Sequence, residues 1–210
     1  MPGFVGYELD DSFTRTEPGR PHVPQGYYLA EVAAVRPTPE NYEKTPGFYV
    51  DFRILAGPDS APGAGVGRTI NRYASMGGKT GSQFGMAGMM GAAGVGDIAK
   101  ALYADERFRK VNTWAKHAQI AKFIEGKMAS KRVVLTIADE MSPQGRSFSS
   151  VLEVQSADQW ATLKITPLVG GIGPAGAGVP VGVGPSNGGA PAAATLAEQV
   201  SAMFEQPDVN

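Results

Sequence analysis

Residues 131–155 read KRVVLTIADEMSPQGRSFSSVLEVQ. Two β-rich runs, KRVVLTIADE and RSFSSVLEVQ, flank MSPQG, in which Pro143 and Gly145 supply the turn chemistry of an antiparallel hairpin. What precedes this hairpin decides the fold. Immediately upstream, Asn112 or Thr113 can cap a helix in which Trp114, Ala118, Ala121 and Ile124 recur at helical spacing. Gly126 is placed to end that helix in a left-handed conformation, and Lys116 and Lys122 stay outside the apolar stripe. A shorter helical candidate, DIAKALYADERF, comes before it.

Further upstream the period changes from helical to alternating. In GFYVDFRIL, Phe48, Val50, Phe52 and Ile54 fall on one face and Tyr49, Asp51 and Arg53 on the other, the pattern of a half-buried strand. GYYLAEVAAVRPT runs as a strand until Pro37, and the polar connection RPTPENYEKTPG predicts that the two pair antiparallel across a long loop. A third strand, GRTINRYA, follows the Gly/Pro loop AGPDSAPGAGVG. Strand, strand, strand, helix, strand, strand is the order of the OB-fold, a five-stranded barrel whose helix enters between its third and fourth strands; other α+β folds also produce it. The expected fold is therefore mainly β with a helical insertion, an OB-like five-stranded barrel over residues 24–166.

The flanks differ in composition. Residues 1–23 hold no sustained period and read as an extended arm. Between Gly170 and Pro191, 13 of 22 residues are Gly or Pro, and no charge occurs between Lys164 and Glu198. Residues 167–194 are accordingly expected to form a disordered linker, because such a segment buries too little surface to offset its ordering entropy. Residues 195–210 suggest a short acidic helix in which Thr195 and Glu198 make a capping box. Its apolar stripe, Leu196, Val200, Met203 and Phe204, is expected to gain order by docking on a partner.

Composition excludes some chemistry. Cys is absent, so there are no disulfides or thiolate metal sites, and with only His22 and His117 a zinc site would need unusual carboxylate help. Neither a metal nor a cofactor is expected. No basic apolar signal opens the chain, and the longest uncharged apolar run is too short to span a bilayer, which predicts a cytoplasmic protein without membrane contact.

One motif invites a nucleotide-binding reading. Gly78-Lys79-Thr80 matches the close of a P-loop, and Asp139-Glu140 ends an apolar strand. The P-loop needs a glycine five positions before Gly78, where the chain has Tyr73, and GRTINRYA is too polar for the buried strand that should precede the loop. Lys79 is then at most one more phosphate contact. A Ser/His/Asp centre would have to recruit His22 from the arm or His117, which reads as structural, so no enzyme is expected.

Charge and aromatic placement favour binding. Residues 61–150 carry 13 basic and 6 acidic side chains, between acidic ends. An OB barrel binds single strands by joining a basic groove to aromatic faces. Candidates are Tyr49 and Arg53 on the second strand, Arg68, Arg72 and Tyr73 on the third, and Lys131, Arg132, Arg146 and Phe148 flanking the last hairpin. Phe148 reads either as core or as a base platform.

The series VPQGYYLAEV, GFYVDFRIL, GRTINRY, a Gly/Ala/Met-rich helical region, FIEGKMASKRVVLTI and GRSFSSVLEV resembles the single-stranded DNA-binding proteins that bacteriophages encode beside replication and recombination genes. The resemblance spans residues 24–156, with Gly126-Lys127 as the entry to the fourth strand. It implies sequence-tolerant binding of single-stranded DNA, no metal and no catalysis, with Lys127 near the bound strand. The Gly/Pro linker and acidic tip resemble the layout of bacterial single-strand binders, whose tips recruit replication enzymes, although FEQPDVN lacks their aspartate run ending in Pro-Phe. A replication or recombination protein is thus an expected tail partner, in the host cytoplasm if the gene is a phage's, and oligomers are left open. The alternative is a virion or assembly protein whose Gly-rich stretches are adaptable contacts.

Overall fold

The computed structural model describes residues 22–39, 47–76, 85–111, 113–141, 147–166 and 193–205. The chain forms β1 (Gly26–Pro37), β2 (Gly47–Ala56), β3 (Thr69–Ser75), α1 (Met86–Ala92), α2 (Gly96–Ala104), α3 (Glu106–Arg109) and α4 (Trp114–Met128). There follow β4 (Arg132–Met141), β5 (Ser147–Ser156), a 3-10 turn at Ala157–Gln159, α5 (Trp160–Leu163) and α6 (Ala193–Glu205). The five strands make one antiparallel sheet in the order β3-β2-β1-β4-β5.

Alternation fixes the two faces. Phe48, Val50, Phe52 and Ile54 of β2 are at most 1% exposed, and Tyr28, Ala30, Val32 and Val35 of β1 join them in the core. Helix α4 packs against β1 and contributes Ile120, Ala121, Ile124 and Met128, all buried. Thr113 caps it by accepting the Lys116 backbone N–H. The expected stop at Gly126 is not used. The helix continues to Met128, whose side chain is fully buried, and the left-handed residue is Ser130, with φ 62°.

Strand β4 is buried on both faces from Val133 to Ala138. Its outer side is covered because the 3-10 turn touches β4 and α5 touches β1. The outer side of β1, β2 and β3 beyond that cover remains open, and the candidate site lies there.

The expected closed barrel is not formed. Among the described residues no ladder joins β3 to β5, and these remain the two edges of an open sheet. The interval is filled by other elements. Helix α1 touches both edges and buries Met86, Met89 and Met90 completely, so packing offsets the poor helix propensity of its glycines. At another point Val23, 6% exposed, bridges the gap: its N–H donates to Ser149 Oγ on β5 at 2.9 Å, and Ser149 Oγ donates to the Val23 carbonyl at 2.9 Å. Gly65, in the loop before β3, sits against this side chain, where an added Cβ would lie 3.1 Å from Val23 Cγ1. The last residues of the expected arm are therefore part of the packed domain, while residues 1–21 lie outside the described residues.

Helix α6 docks on α2 and α4 of its own chain, burying Val200 (2% exposed) and Met203 (5%). It begins at Ala193, which places Thr195 inside the helix and not at the expected cap. Most of the expected linker, residues 167–192, lies outside the described residues, as do the MSPQG turn from Ser142 onward and the Gly-Gly-Lys-Thr loop.

Candidate nucleic-acid interface

On the open face the strand registers lay side chains in rows. Arg36 of β1 is opposite Tyr49 of β2, which is opposite Tyr73 of β3. The Arg36 guanidinium lies 5.9 Å from the Tyr49 ring centroid. The Tyr49 and Tyr73 rings meet edge-on, with centroids 5.9 Å apart at 64°. A second row runs Arg132, Glu31, Arg53, Thr69 across β4, β1, β2 and β3.

Carboxylates hold these cations in place. Arg36 donates from Nε and Nη2 to Asp51 in a fork, both at 2.7 Å, and Arg53 donates to Glu31. The acids lie beneath the bases: the Asp51 and Glu31 side chains are 15% and 18% exposed, the Arg36 and Arg53 side chains 54% and 56%. The hydrogen bond to Asp51 raises the Arg36 pKa against a smaller lowering from burial, so its charge is fixed. Exposed pairs of this kind add little to stability. Their effect is to fix the Arg36 guanidinium beside the Tyr49 ring and the Arg53 guanidinium in the neighbouring row, an arrangement suited to phosphates and stacked bases.

Apart from Arg132 in the second row, the other sequence candidates are dispersed. Arg72 is opposite Val50 and so turns to the other face of the sheet; burial lowers its pKa, and the charges of Glu140 and Glu153 partly restore it. Arg68 precedes β3 and donates from Nη1 to the His22 carbonyl at 3.4 Å. Lys127 faces α6, donating to Gln199 Oε1 at 2.9 Å with its Nζ 5.3 Å from the Phe123 centroid. Lys131 and Arg132 are exposed where α4 gives way to β4. Phe148 is 46% exposed on the far edge strand, opposite Glu140, so it is neither core nor part of the Tyr49–Tyr73 row. Lys79 and Arg146 lie outside the described residues.

Of the tail stripe, Val200 and Met203 are buried in cis, while Leu196 and Phe204 stay partly exposed. The Arg107 guanidinium lies 5.0 Å from the Phe204 centroid and donates to Ser201 Oγ at 3.1 Å, and Lys116 donates to the Phe204 carbonyl at 3.3 Å. Sequence reasoning missed Arg36, Glu31 and Asp51 as members of the site and set Trp114 in the apolar stripe of α4, whereas Trp114 is 45% exposed.

His22 pairs with Asp139 at 2.7 Å, close to Ser149, the register partner of Asp139. The Ser149 hydroxyl is engaged with both polar groups of the Val23 backbone, so this trio fastens the arm to the hairpin. Among the described residues no three acidic or histidine side chains are grouped to hold a metal, and no helix is long and apolar enough to cross a membrane. No protein-family model and no curated protein sequence matches the chain.

Proposed function

We propose that this protein binds single-stranded DNA with little sequence preference, as a non-catalytic accessory to phage replication or recombination, across the open face of β1, β2 and β3. The observation that carries the reading is the Arg36–Tyr49–Tyr73 row, in which a carboxylate-held guanidinium adjoins two part-exposed rings. The connectivity supports it. β1, β2 and β3 form an antiparallel meander, β4 returns beside β1, and the helical insert lies between β3 and β4, which is an OB-like arrangement left open at its β3 and β5 edges. Rings whose faces stack on any base, next to cations that meet any phosphate, favour binding without base readout.

Fluorescence anisotropy of labelled oligo-dT tests the reading. Tyr49→Ala and Tyr73→Ala should each weaken binding roughly 5- to 150-fold, the equivalent of about 1–3 kcal/mol per stacked base. Affinity should fall with salt at about −0.7 in log–log slope per phosphate neutralised. No binding at low salt would refute it. Stable multimers without nucleic acid, together with indifference to loss of Arg36 and Arg53, would favour the assembly reading. A replication or recombination protein would meet the tail at Leu196 and Phe204, since Val200 and Met203 are buried while α6 is docked.

A further inference from the structure

We propose that Trp114 is a third aromatic platform, extending the single-strand path from the sheet onto the start of α4. This rests on the reading of the open face as a single-strand surface. Trp114 stays 45% exposed, although His117 and Ala121, one and two turns further along α4, are 5% and 1% exposed. The indole is nevertheless held. Its Nε1 donates to the Thr38 carbonyl at 3.0 Å. Thr38 is in turn clamped to β2, its N–H donating to the Gly47 carbonyl at 3.0 Å and its Oγ1 accepting the Gly47 N–H at 3.3 Å. His117 closes the arrangement with Nε2 2.6 Å from the same carbonyl and its ring 4.7 Å from Phe48.

An exposed indole fixed in this way gives up no rotamer freedom when a flat ligand covers it. Its single donor is already satisfied by Thr38, so what it offers is a π-face, which accepts any base. Position supplies the occupant. Thr38 lies two residues along the chain from Arg36, a step of about 7 Å in an extended strand. Thr38 is also paired with Gly47, where an added Cβ would lie 2.6 Å from a Tyr73 ring carbon, so Trp114 adjoins the Arg36–Tyr49–Tyr73 row through Thr38 and Gly47. A strand of nucleotides stacked on Tyr49 and Tyr73 reaches the indole by continuing past Gly47 and Thr38. A protein side chain seated on Trp114 would use the same apolar face, and that is the competing outcome.

Trp160 is the only other tryptophan, so the full-length Trp160→Phe chain reports on Trp114 alone. Oligo-dT of increasing length should quench its emission once the oligomer reaches past the two tyrosines. Trp114→Leu should weaken binding of long oligomers roughly 5- to 150-fold and leave the shortest bound oligomer unaffected. Trp114→Phe should recover most of the loss, and melting curves check that each variant is folded. Should Trp114→Leu not fold, the Trp160→Phe emission decides. Unmoved emission, with long oligomers still bound and still weakened by Tyr49→Ala, would overturn the role of Trp114 and leave the open-face reading intact. No oligomer binding by the unaltered chain would overturn both.

Discussion

Replacing Gly47 with alanine should destabilise the fold and weaken the candidate site together. Gly47 opens β2 opposite Ser75 of β3, and its carbonyl and N–H are held by Thr38 and His117. A Cβ here would lie 2.5 Å from the Ala74 carbonyl oxygen and 2.6 and 2.8 Å from Tyr73 ring carbons. The tyrosine can swing aside, but the Ala74 oxygen is ladder backbone, so β3 itself has to move. Overpacking of this kind costs about 1–3 kcal/mol. For a chain of this length each kcal/mol lowers Tm by about 2–4 °C, which gives a drop of roughly 2–12 °C by differential scanning calorimetry. Because Tyr73 is displaced from Tyr49, oligo-dT affinity should fall as well, measured well below Tm. Gly63→Ala, where a Cβ meets nothing within 4 Å, is the control. A Gly47→Ala protein melting within about one degree of the unaltered chain would refute the close-approach reasoning.

Three further outcomes are expected. Gly126→Ala, in the exposed interior of α4 with no atom within 4 Å of the new Cβ, should raise stability by about 0.8–1.0 kcal/mol, read as a higher urea midpoint at unchanged m. Met203→Ala should cost about 2–5 kcal/mol if α6 unfolds with the core, whereas a loss well under 1 kcal/mol would show that α6 opens on its own. Burial holds the His117 pKa below the ordinary histidine value, against a smaller upward pull from the Gly47 carbonyl. The folded chain therefore binds fewer protons than the unfolded one just below about pH 6.5, so stability is complete above that pH and falls as pH drops toward the folded-state value. His117→Gln should flatten that dependence in pH-resolved melting, and an unchanged slope would refute the assignment.

The strands were readable where a single period ran unbroken, as in Phe48, Val50, Phe52 and Ile54, or where an apolar run met clear turn residues, as at the β4–β5 hairpin. Arg36 shows why the site was harder. Counting by twos from Tyr28 puts residue 36 on the core face, but the register shifts between Val32 and Ala34, and this bulge carries Val35 inward and Arg36 outward. Nothing in the local pattern marks that shift. Trp114 fitted the helical stripe by spacing, yet it stands at the first turn of α4, where the helix begins at the rim of the sheet. Strand order was also legible, but barrel closure was not. Closure needs two edges whose backbones meet, and here α1 and Val23 occupy the interval between β3 and β5. The stripe on α6 was read as a surface for a partner, whereas Val200 and Met203 are buried against α2 and α4 of the same chain, through tertiary contacts that no local pattern encodes.

The core runs from Val23 to Met203, with a latch between Val23 and Ser149 that spans 126 residues. During synthesis at about 5–20 residues per second, Val23 would wait roughly 6–25 s for Ser149, and Met203 would arrive roughly 10–35 s after Val23. From the completion of α4 at Met128 until Met203 is made, roughly 4–15 s, the surface of α2 and α4 that α6 later covers stays apolar and bare. On a crowded polysome the first helix to reach it can come from a neighbouring nascent chain, so the order of translation bears on whether copies emerge separate or exchanged.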